Sequence, residues 1–543
     1  MVNLRTDLRQ RIRAHLSTAT SDFPRFPSFP SSYRKEESDG YGAAPGLHTY
    51  RITDTHGYQR RVHLRVDPDG SGVLFRDVTD VIHLNVTATE IAHLALEGVP
   101  QDRARRQLRR TYGKSVSSGQ LDGDLASIYD LVGAMTDPGD ACPTCALPEL
   151  PRADLFSTPV HAPYKVDLAV TYGCNNECPH CYNEPTHYPM ASLSKEHWFE
   201  VINRLHELGV PHLIFTGGEA TLHPDLPEII AHADRLGHVV GLNSNGRRMA
   251  HQPYVAELAA AGLNHVQITL GSSRPAIHDA MMGARAFDQT VRGIRNAVDS
   301  PLHTITNTTL MQANKNHAEE IIEFLYDLGI RTFAMNGMIY SGGGFGNGTA
   351  IPEAEMPALL IRVRDKADDL GMRFLWYTPT EYCRMSPVEL ELGAKRCNAG
   401  EYSLCIEPNG DVLPCQSYYV AAGNILRDPW EEIWQGALFR SFRDRVEDPR
   451  WAGLPEKCWE CPDLPLCGGG CRIEREARDG HRIAEHGHGG GCAGCSGSCG
   501  TGKSASDSPF TADIELTLLP TGFVPPAGQV NSPVRGSGVM VVQ

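Results

Sequence analysis

No run of about 18 consecutive apolar residues occurs anywhere in this 543-residue chain, so no stretch is long enough to cross a bilayer as a helix. Nor does Met1 open an apolar signal segment, being followed by Val-Asn-Leu-Arg-Thr-Asp. A cytoplasmic protein without a membrane partner is expected. An excess of basic charge is also missing: 50 Lys and Arg stand against 65 Asp and Glu, a net charge of -15. That balance excludes a general nucleic-acid binder, because the phosphate backbone rewards an excess of Lys and Arg. The sixteen cysteines do not make a disulfide scaffold, since such frameworks belong to small secreted domains and this chain is large. Metal or redox ligation is the better reading, and the length implies two to four domains.

Along the chain, residues 1–45 hold a short Arg-rich helix candidate and a Pro, Ser and Gly stretch that cannot build a core, so a flexible segment is expected. Residues 46–137 alternate like strands, with Asp67-Pro68-Asp69-Gly70 as a hairpin turn, and then give three helix-like segments. The first of these opens with a Thr87-x-x-Glu90 capping-box pattern. A basic run, Arg103, Arg105, Arg106, Arg109 and Arg110, reads either as a solvated helix face or as the mark of a DNA-binding winged helix. Residues 138–163 read as a linker containing Cys142 and Cys145.

From 164 to 382, six apolar strand candidates alternate with helical stretches: VDLAVTYG, HLIFTGG, VVGLNSNG, HVQITLG, TITNTTL and RTFAMNGMI. Repeated βα units imply a parallel sheet, either a partial or full barrel with its site at the carboxyl ends of the strands, or a doubly wound sheet. Residues 383–499 are loop-rich and hold most of the cysteines, so metal is expected to substitute for core there. Residues 500–543 read as a flexible tail.

The first chemical motif is one ligand short. Cys174-x3-Cys178-x2-Cys181 follows the first barrel strand candidate, whereas a tetrahedral zinc site or a 4Fe-4S cluster normally takes four protein ligands. Either His180 completes a zinc site, or one iron of a cluster is left for a small molecule. The arrangement, followed by Tyr182, resembles the signature of the radical S-adenosylmethionine superfamily. The resemblance implies that the open iron binds the methionine moiety of S-adenosylmethionine, and that a 5′-deoxyadenosyl radical then abstracts hydrogen from substrate. Gly217-Gly218-Glu219, after the second strand, resembles the family's Gly-Gly-Glu motif and implies contacts to the cofactor's ammonium group. Ser244, Asn245 and Thr269, at the ends of the third and fourth strands, are further cofactor candidates by the same resemblance, and equally ordinary strand-end turn residues. Asn307 is another of this kind. Thr269-Leu270-Gly271 and Met282-Gly283 depart from the family, which commonly has Ser-Leu-Asp and an Arg there, so a different group is expected to hold the cofactor's carboxylate.

In the last third, Cys397-x12-Gly410-x4-Cys415, then Cys458-x2-Cys461-x5-Cys467-x3-Cys471, then Cys492 resembles the seven-cysteine pattern of SPASM domains. The resemblance implies two auxiliary 4Fe-4S clusters, three clusters in all. It assigns Cys397, Cys415 and Cys471 to the first auxiliary cluster, with Cys405 as the natural fourth ligand, and Cys458, Cys461, Cys467 and Cys492 to the second. Cys495 and Cys499 compete with Cys492. The alternative is a pair of zinc-ribbon-like sites that brace the fold.

Residues 46–137 resemble the PqqD-like peptide-recognition domain, a winged-helix-like fold that captures a leader peptide as an added strand. The fold class expected is thus α/β: a partial (β/α)6 radical SAM barrel with an N-terminal winged-helix-like peptide-binding domain and a C-terminal cysteine-rich SPASM domain. The function implied is a maturase that acts on a ribosomally made precursor peptide bound through its leader, forming an intramolecular carbon-carbon or thioether crosslink. Its electron donor would be a flavodoxin or ferredoxin. Epimerisation instead would need a hydrogen donor such as Cys383. Two other readings compete: a sulfatase-maturase-like formylglycine-forming enzyme, disfavoured by Gln416 where that family has an Asp base, and an iron-sulfur redox-sensing winged-helix regulator.

Overall fold

The computed structural model describes residues 43–54, 59–113, 117–137 and 155–480. Cys142, Cys145, Cys492, Cys495 and Cys499 lie outside the described residues, as do the expected N-terminal segment and tail. The described part begins with an antiparallel meander, β1 (Gly46–Thr53), β2 (Gln59–Val66), β3 (Gly72–Arg76) and β4 (Asp80–Leu84), in that spatial order. The Asp67 to Gly70 turn joins β2 to β3: Asp67 N–H donates to the Ser71 carbonyl at 2.8 Å, and Gly70 adopts a φ of 87° that the turn requires. Three helices follow, α1 (Val86–Leu96), α2 (Gln101–Tyr112) and α3 (Ser118–Thr136).

The expected Thr87 capping box does not form. Asn85 caps α1 instead, its side chain accepting from Ala88 N–H at 2.9 Å, because an Asn placed before the first turn is at least as good a cap and starts the helix earlier. Thr87 is buried, and Glu90 accepts from the Tyr112 hydroxyl at 2.7 Å. On α2, Ala104 and Leu108 face inward while Arg103, Arg105, Arg106 and Arg110 are exposed, the pattern of a solvated face.

A second sheet has nine strands in the order β11-β10-β9-β8-β7-β6-β5-β12-β13. Strands β5 (Lys165–Thr171), β6 (His212–Gly217), β7 (Val239–Ser244), β8 (His265–Thr269), β9 (His303–Thr309) and β10 (Thr332–Asn336) are the six expected from sequence, and β11 (Arg373–Trp376) is a seventh. All are parallel and adjacent in chain order, with α4 (Lys195–Glu207), α5 (Leu226–Arg235), α6 (Gln252–Ala260), α7 (Pro275–Met282), α8 (Phe287–Val298), α9 (Ala318–Asp327) and α10 (Met356–Asp369) in the connections. Because the strand order of β5 to β11 never reverses, the sheet is not doubly wound, and because β11 and β13 are its edges among the described residues it is a partial barrel. Most of the strands are rich in apolar residues since both faces are covered, β9 (HTITNTT) being the polar exception: Leu168, Phe215, Leu242, Ile268 and Phe333 share one core with Trp198, Ile229 and Ile322 from the helices.

The cysteine-rich segment is not separate from this sheet. Its β12 (Ser403–Ile406) pairs in parallel with β5, and β13 (Val412–Leu413) folds back antiparallel on β12. Short helices follow: α11 (Trp430–Trp434), α12 (Ala437–Arg443), α13 (Leu464–Cys467) and α14 (Arg472–Arg478). Trp434 and Phe439 join the barrel core.

The N-terminal unit docks at the amino-terminal ends of β5, β6 and β7. Arg61 donates to the His238 carbonyl and to Asp234, His63 pairs with the Gly237 carbonyl at 2.8 Å, and Arg65 donates to the Ala162 carbonyl at 3.0 Å. Tyr164, just before β5, bonds His83 of β4 at 2.9 Å and packs edge-on against Phe75 of β3. Gly237 has a φ of 96° and a side chain there would meet Thr49 of β1, so a glycine is needed for the approach.

Candidate radical and iron-sulfur sites

The loop after β5 carries Cys174, Cys178 and Cys181 at the carboxyl end of the sheet. Its path is fixed by β6. Gly218 N–H donates to the Thr171 carbonyl at 2.8 Å, and Glu219 N–H to the Gly173 carbonyl at 2.9 Å. A Cβ on Gly217 would lie 2.1 Å from the Thr171 oxygen, and one on Gly218 2.4 Å from the Tyr172 oxygen. The two glycines are therefore needed to let two backbones cross beneath the cysteines. On the other side, Gly342-Gly343 closes over the loop, with Gly343 N–H donating to the Cys181 carbonyl at 2.7 Å. Gly283, at the end of α7, packs on Glu177, and Met282 presents its carbonyl and sulfur to the Cys178 thiol at 3.5 and 4.0 Å.

Burial, together with the neighbouring charges, pushes Cys174 up to about 11 and Cys178 up to about 12; for Cys178 those charges are Cys181 and Cys174. All three thiols are free. Three thiolates so gathered repel one another and need a cation to neutralise them. Among the described residues no three His, Cys, Asp or Glu side chains gather tightly enough to hold a single ion, which gives the zinc reading with His180 no support. A cluster asks less of the loop, because each thiolate binds a different iron. The donor set therefore fits a 4Fe-4S cluster with three cysteine ligands.

Glu219 is buried, and both its carboxylate oxygens are engaged. Oε1 accepts from the Thr221 and Ser244 hydroxyls at 2.5 and 2.8 Å, and Oε2 from Asn245 N–H at 2.7 Å. Glu219 thus ties the end of β6 to the end of β7. Asn245 in turn donates from its amide to Asn175 Oδ1 at 2.7 Å, and Arg247 donates to the carbonyl of Asn175 and to Asn176 Oδ1, so the β7 loop clamps the cysteine loop. Thr269 is half-buried at the end of β8, in register with Asn307 of β9. Oδ1 of Asn307 and Oδ1 of Asn336, the last residue of β10, are buried without a hydrogen-bond partner among the described residues. Orphaned acceptors at the last residue of β10 and two residues before the end of β9 are what a hydroxyl-bearing cofactor can satisfy. Asn336 went unnoticed in the sequence, although it ends its strand as Asn245 follows the end of β7.

The later cysteines fall into two groups. Cys397, Cys415 and Cys471 pack around Ala399, Tyr418, Phe442 and Ile473. Burial, then the charge of Cys397, raises Cys415 and pushes Cys471 up to about 12. Cys397 is anchored by a buried triad: Glu401 accepts from Arg396 and Arg445, each at 2.9 Å, and Arg445 also donates to the Cys397 carbonyl. In the second group, burial and then the Cys467 charge raise Cys458, with Cys461 contributing. Gly468, Gly469 and Gly470 all have positive φ, 59°, 75° and 69°, so the chain reverses between Cys467 and Cys471 and sends them to different groups. Cys405, expected as the fourth ligand of the Cys397 group, is fully buried on β12 and packs with Ala169, Tyr172, Leu413 and Tyr419; burial raises its thiol, and the charges of Asp167, Glu407 and Cys415 add to this. Around it lies a bonded network: Tyr172 donates to Glu407 at 2.8 Å, and His187 Nδ1 meets the same oxygen at 2.7 Å.

Comparisons agree with this arrangement. Residues 168–325 match the Radical SAM superfamily, and residues 397–462 match the SPASM iron-sulfur cluster-binding domain. The PqqA peptide cyclase of Streptomyces rochei is 31% identical over 329 residues, spanning 58% of this chain and 86% of that protein. That of Xanthomonas campestris is 31% identical over 339 residues, 59% of this chain and 85% of that one. The crystal structure of Streptococcus suis SuiB bound to S-adenosylmethionine superposes with a TM-score of 0.55 at 16% identity, over 76% of this chain and 95% of SuiB, a likeness of fold. The fold, the three-cysteine loop and the second set of cysteines define a radical SAM enzyme that uses S-adenosylmethionine and 4Fe-4S clusters, and carries a SPASM domain. More narrowly, the chain belongs to the family that includes the PqqA peptide cyclases.

Proposed function

We propose that this enzyme modifies a ribosomally made precursor peptide, held through its leader by the N-terminal unit, and joins two of its residues by a carbon-carbon or thioether bond. The relatives support a peptide substrate by name: PqqA peptide cyclases, and SuiB, one of whose structures is bound to the precursor peptide SuiA. The single observation that carries the reading is the fixed docking of residues 46–137 on the barrel through Arg61, His63, Arg65 and Tyr164, which holds any peptide bound there at a set distance from the cysteine loop. Among the described residues strand β4 has a strand neighbour on one side only, and its His83 bonds Tyr164 at the foot of β5. A leader added as a strand beside β4 starts at the amino-terminal end of the sheet. Its core segment then climbs the length of the seven-residue β5 to reach Cys174. At about 3.3 Å per residue that climb takes roughly 20 Å, or at least about seven extended residues.

Cys174, Cys178 and Cys181 would hold the 4Fe-4S cluster, which together with S-adenosylmethionine would supply radical hydrogen-abstraction chemistry at this end of the sheet. The chain's own residues set the stage. Gly217, Gly218 and the strand-end residues Thr269, Asn307 and Asn336 offer backbone and amide groups to the cofactor. Glu219, through Ser244 and Asn245, keeps the β6 and β7 ends in place. Cys397, Cys415, Cys458, Cys461, Cys467 and Cys471 would hold auxiliary clusters, with Cys492 and Cys405 as further ligand candidates, and such clusters would supply an electron acceptor near the substrate. Gln416 is an amide and offers no base for formylglycine formation.

The test is anaerobic reconstitution with iron and sulfide, then reductant, S-adenosylmethionine and a short peptide encoded beside the gene. Formation of 5′-deoxyadenosine with loss of two hydrogens from the peptide is expected. Product formation should fall when the leader-core spacing is cut below the span of β5. No 5′-deoxyadenosine, and no change on Cys174→Ala, would sink the proposal.

A further inference from the structure

Cys383 belongs to no spacing pattern, and only an epimerisation reading gave it a task. The structure places it on the loop after β11, beside the second group of cysteines. That loop is pinned over Cys467: Tyr382 N–H donates to the Cys467 sulfur at 3.4 Å, and the Cys467 thiol points to the Thr380 carbonyl at 3.7 Å. Glu381, buried, accepts from Lys457 at 3.0 Å and from Arg478. Gly470 packs so closely on the loop that a Cβ would sit 2.8 Å from Glu381 N. Lys457, the neighbour of Cys458, donates to the Cys383 sulfur at 3.7 Å. Cys383 is therefore bracketed, through Tyr382 on its own loop and through Lys457, by the residues that position Cys467 and Cys458.

We propose that Cys383 is the fourth cysteine ligand of the auxiliary cluster held by Cys458, Cys461 and Cys467, the place that the spacing pattern gives to Cys492. The proposal rests on the reading that these three cysteines carry an iron-sulfur cluster. Position favours ligation: Cys383 is an exposed residue whose loop is held against Cys467 through Tyr382 and against the neighbour of Cys458 through Lys457, so a fourth iron at this group is within its reach. On ligation the thiol proton leaves to solvent, and the thiolate donates its electron pair to iron in place of water or a buffer thiolate. No electron is gained or lost. Placed there, Cys383 is a structural ligand and not a hydrogen donor to substrate.

The experiment uses the full chain, before and after anaerobic reconstitution, pulsed with iodoacetamide and mapped by mass spectrometry. Cys383 is expected to be alkylated in the cluster-free protein and protected in the loaded one, together with Cys458, Cys461 and Cys467. Protection of those three while Cys383 reacts equally fast in both states overturns the proposal alone. If none of the four is protected, the reading of a cluster at this group fails with it. A second arm works in a Cys174→Ala, Cys178→Ala, Cys181→Ala background, where only auxiliary clusters give electron paramagnetic resonance signals. Cys383→Ala should convert one signal to a three-iron type and lower the iron content, Cys383→Ser should keep the iron but shift the signal, and Cys492→Ala should change neither. Signals for Cys383→Ala identical to the parent's would also overturn it.

Discussion

The Tyr419 hydroxyl donates to Oδ1 of Asn183 at 3.0 Å, while Asn183 Nδ2 donates to the Gly217 carbonyl at 3.1 Å. One buried amide thus joins the segment after Cys415 to the loop after Cys181 and to the glycine pair. Tyr419→Phe leaves an orphaned buried acceptor, which costs about 1–3 kcal/mol. The expected outcome is a lower melting temperature and slower 5′-deoxyadenosine formation with full iron content. Unchanged kinetics would show that the bridge is merely local.

Gly217→Ala confronts a φ of 132° and a carbonyl oxygen 2.1 Å from the new methyl. Backbone strain alone amounts to about 1–3 kcal/mol, and the Thr171 to Gly173 backbone must shift, taking Cys174 with it. We expect loss of iron from the radical cluster while the signals of the auxiliary clusters persist, read by iron analysis and electron paramagnetic resonance.

The amino-terminal end of the sheet is floored by histidines. Burial lowers His63 to about 4, and His238 and His265 to about 3. Their folded values lie below the unfolded value of about 6.5, so the unfolded chain binds more protons between the two. The stability they contribute is complete above about pH 6.5 and is lost as pH falls toward 3 to 4, each unit being worth about 1.4 kcal/mol. His187, raised by its bond to Glu407, acts in the opposite sense but is partly exposed. Melting temperature should fall from pH 7.5 to pH 5, and less steeply in His63→Gln, whose amide can still reach the Gly237 carbonyl. Equal slopes in both proteins would refute the assignment.

Asp234 receives Arg61, and Arg51 at 3.1 Å, across the junction between the N-terminal unit and the barrel. Asp234→Asn strands a largely buried guanidinium, a loss of about 1–3 kcal/mol at this partly exposed pair. Hydrogen exchange should quicken in β1 and β2 and stay unchanged in β6 to β8.

Most barrel strands were legible because parallel strands covered on both faces are rich in apolar residues, as in HLIFTG and VVGL; β9, HTITNTT, was legible by its β-branched residues and its place in the βα alternation. The cysteine groups stood out because their spacing resembles the patterns of known iron-sulfur families. Three strands were not legible: β11 is only four residues long, and β12, SLCI, and the two-residue β13 lie inside a segment whose cysteines signalled loops. The roles of Glu219 and the glycines were half visible. The motif marked the place, but that Glu219 would be occupied by Thr221, Ser244 and Asn245 depends on contacts between distant strands. The Arg247 clamp on Asn175 and Asn176 spans some seventy residues and leaves no local pattern. The setting of Cys405 was not legible either, because spacing does not reveal on which side of a strand a thiol falls.

The pairing of β12 with β5 bears on how this enzyme can be recombined with its relatives. A cut between barrel and cysteine-rich segment, drawn where the cysteines begin, would strip β5 of its neighbour and expose a row of unpaired amides on an apolar strand, an invitation to aggregation. A workable chimera must inherit residues 403–413 from the same parent as β5, so the natural seam for grafting lies beyond β13 and not at the first cysteine.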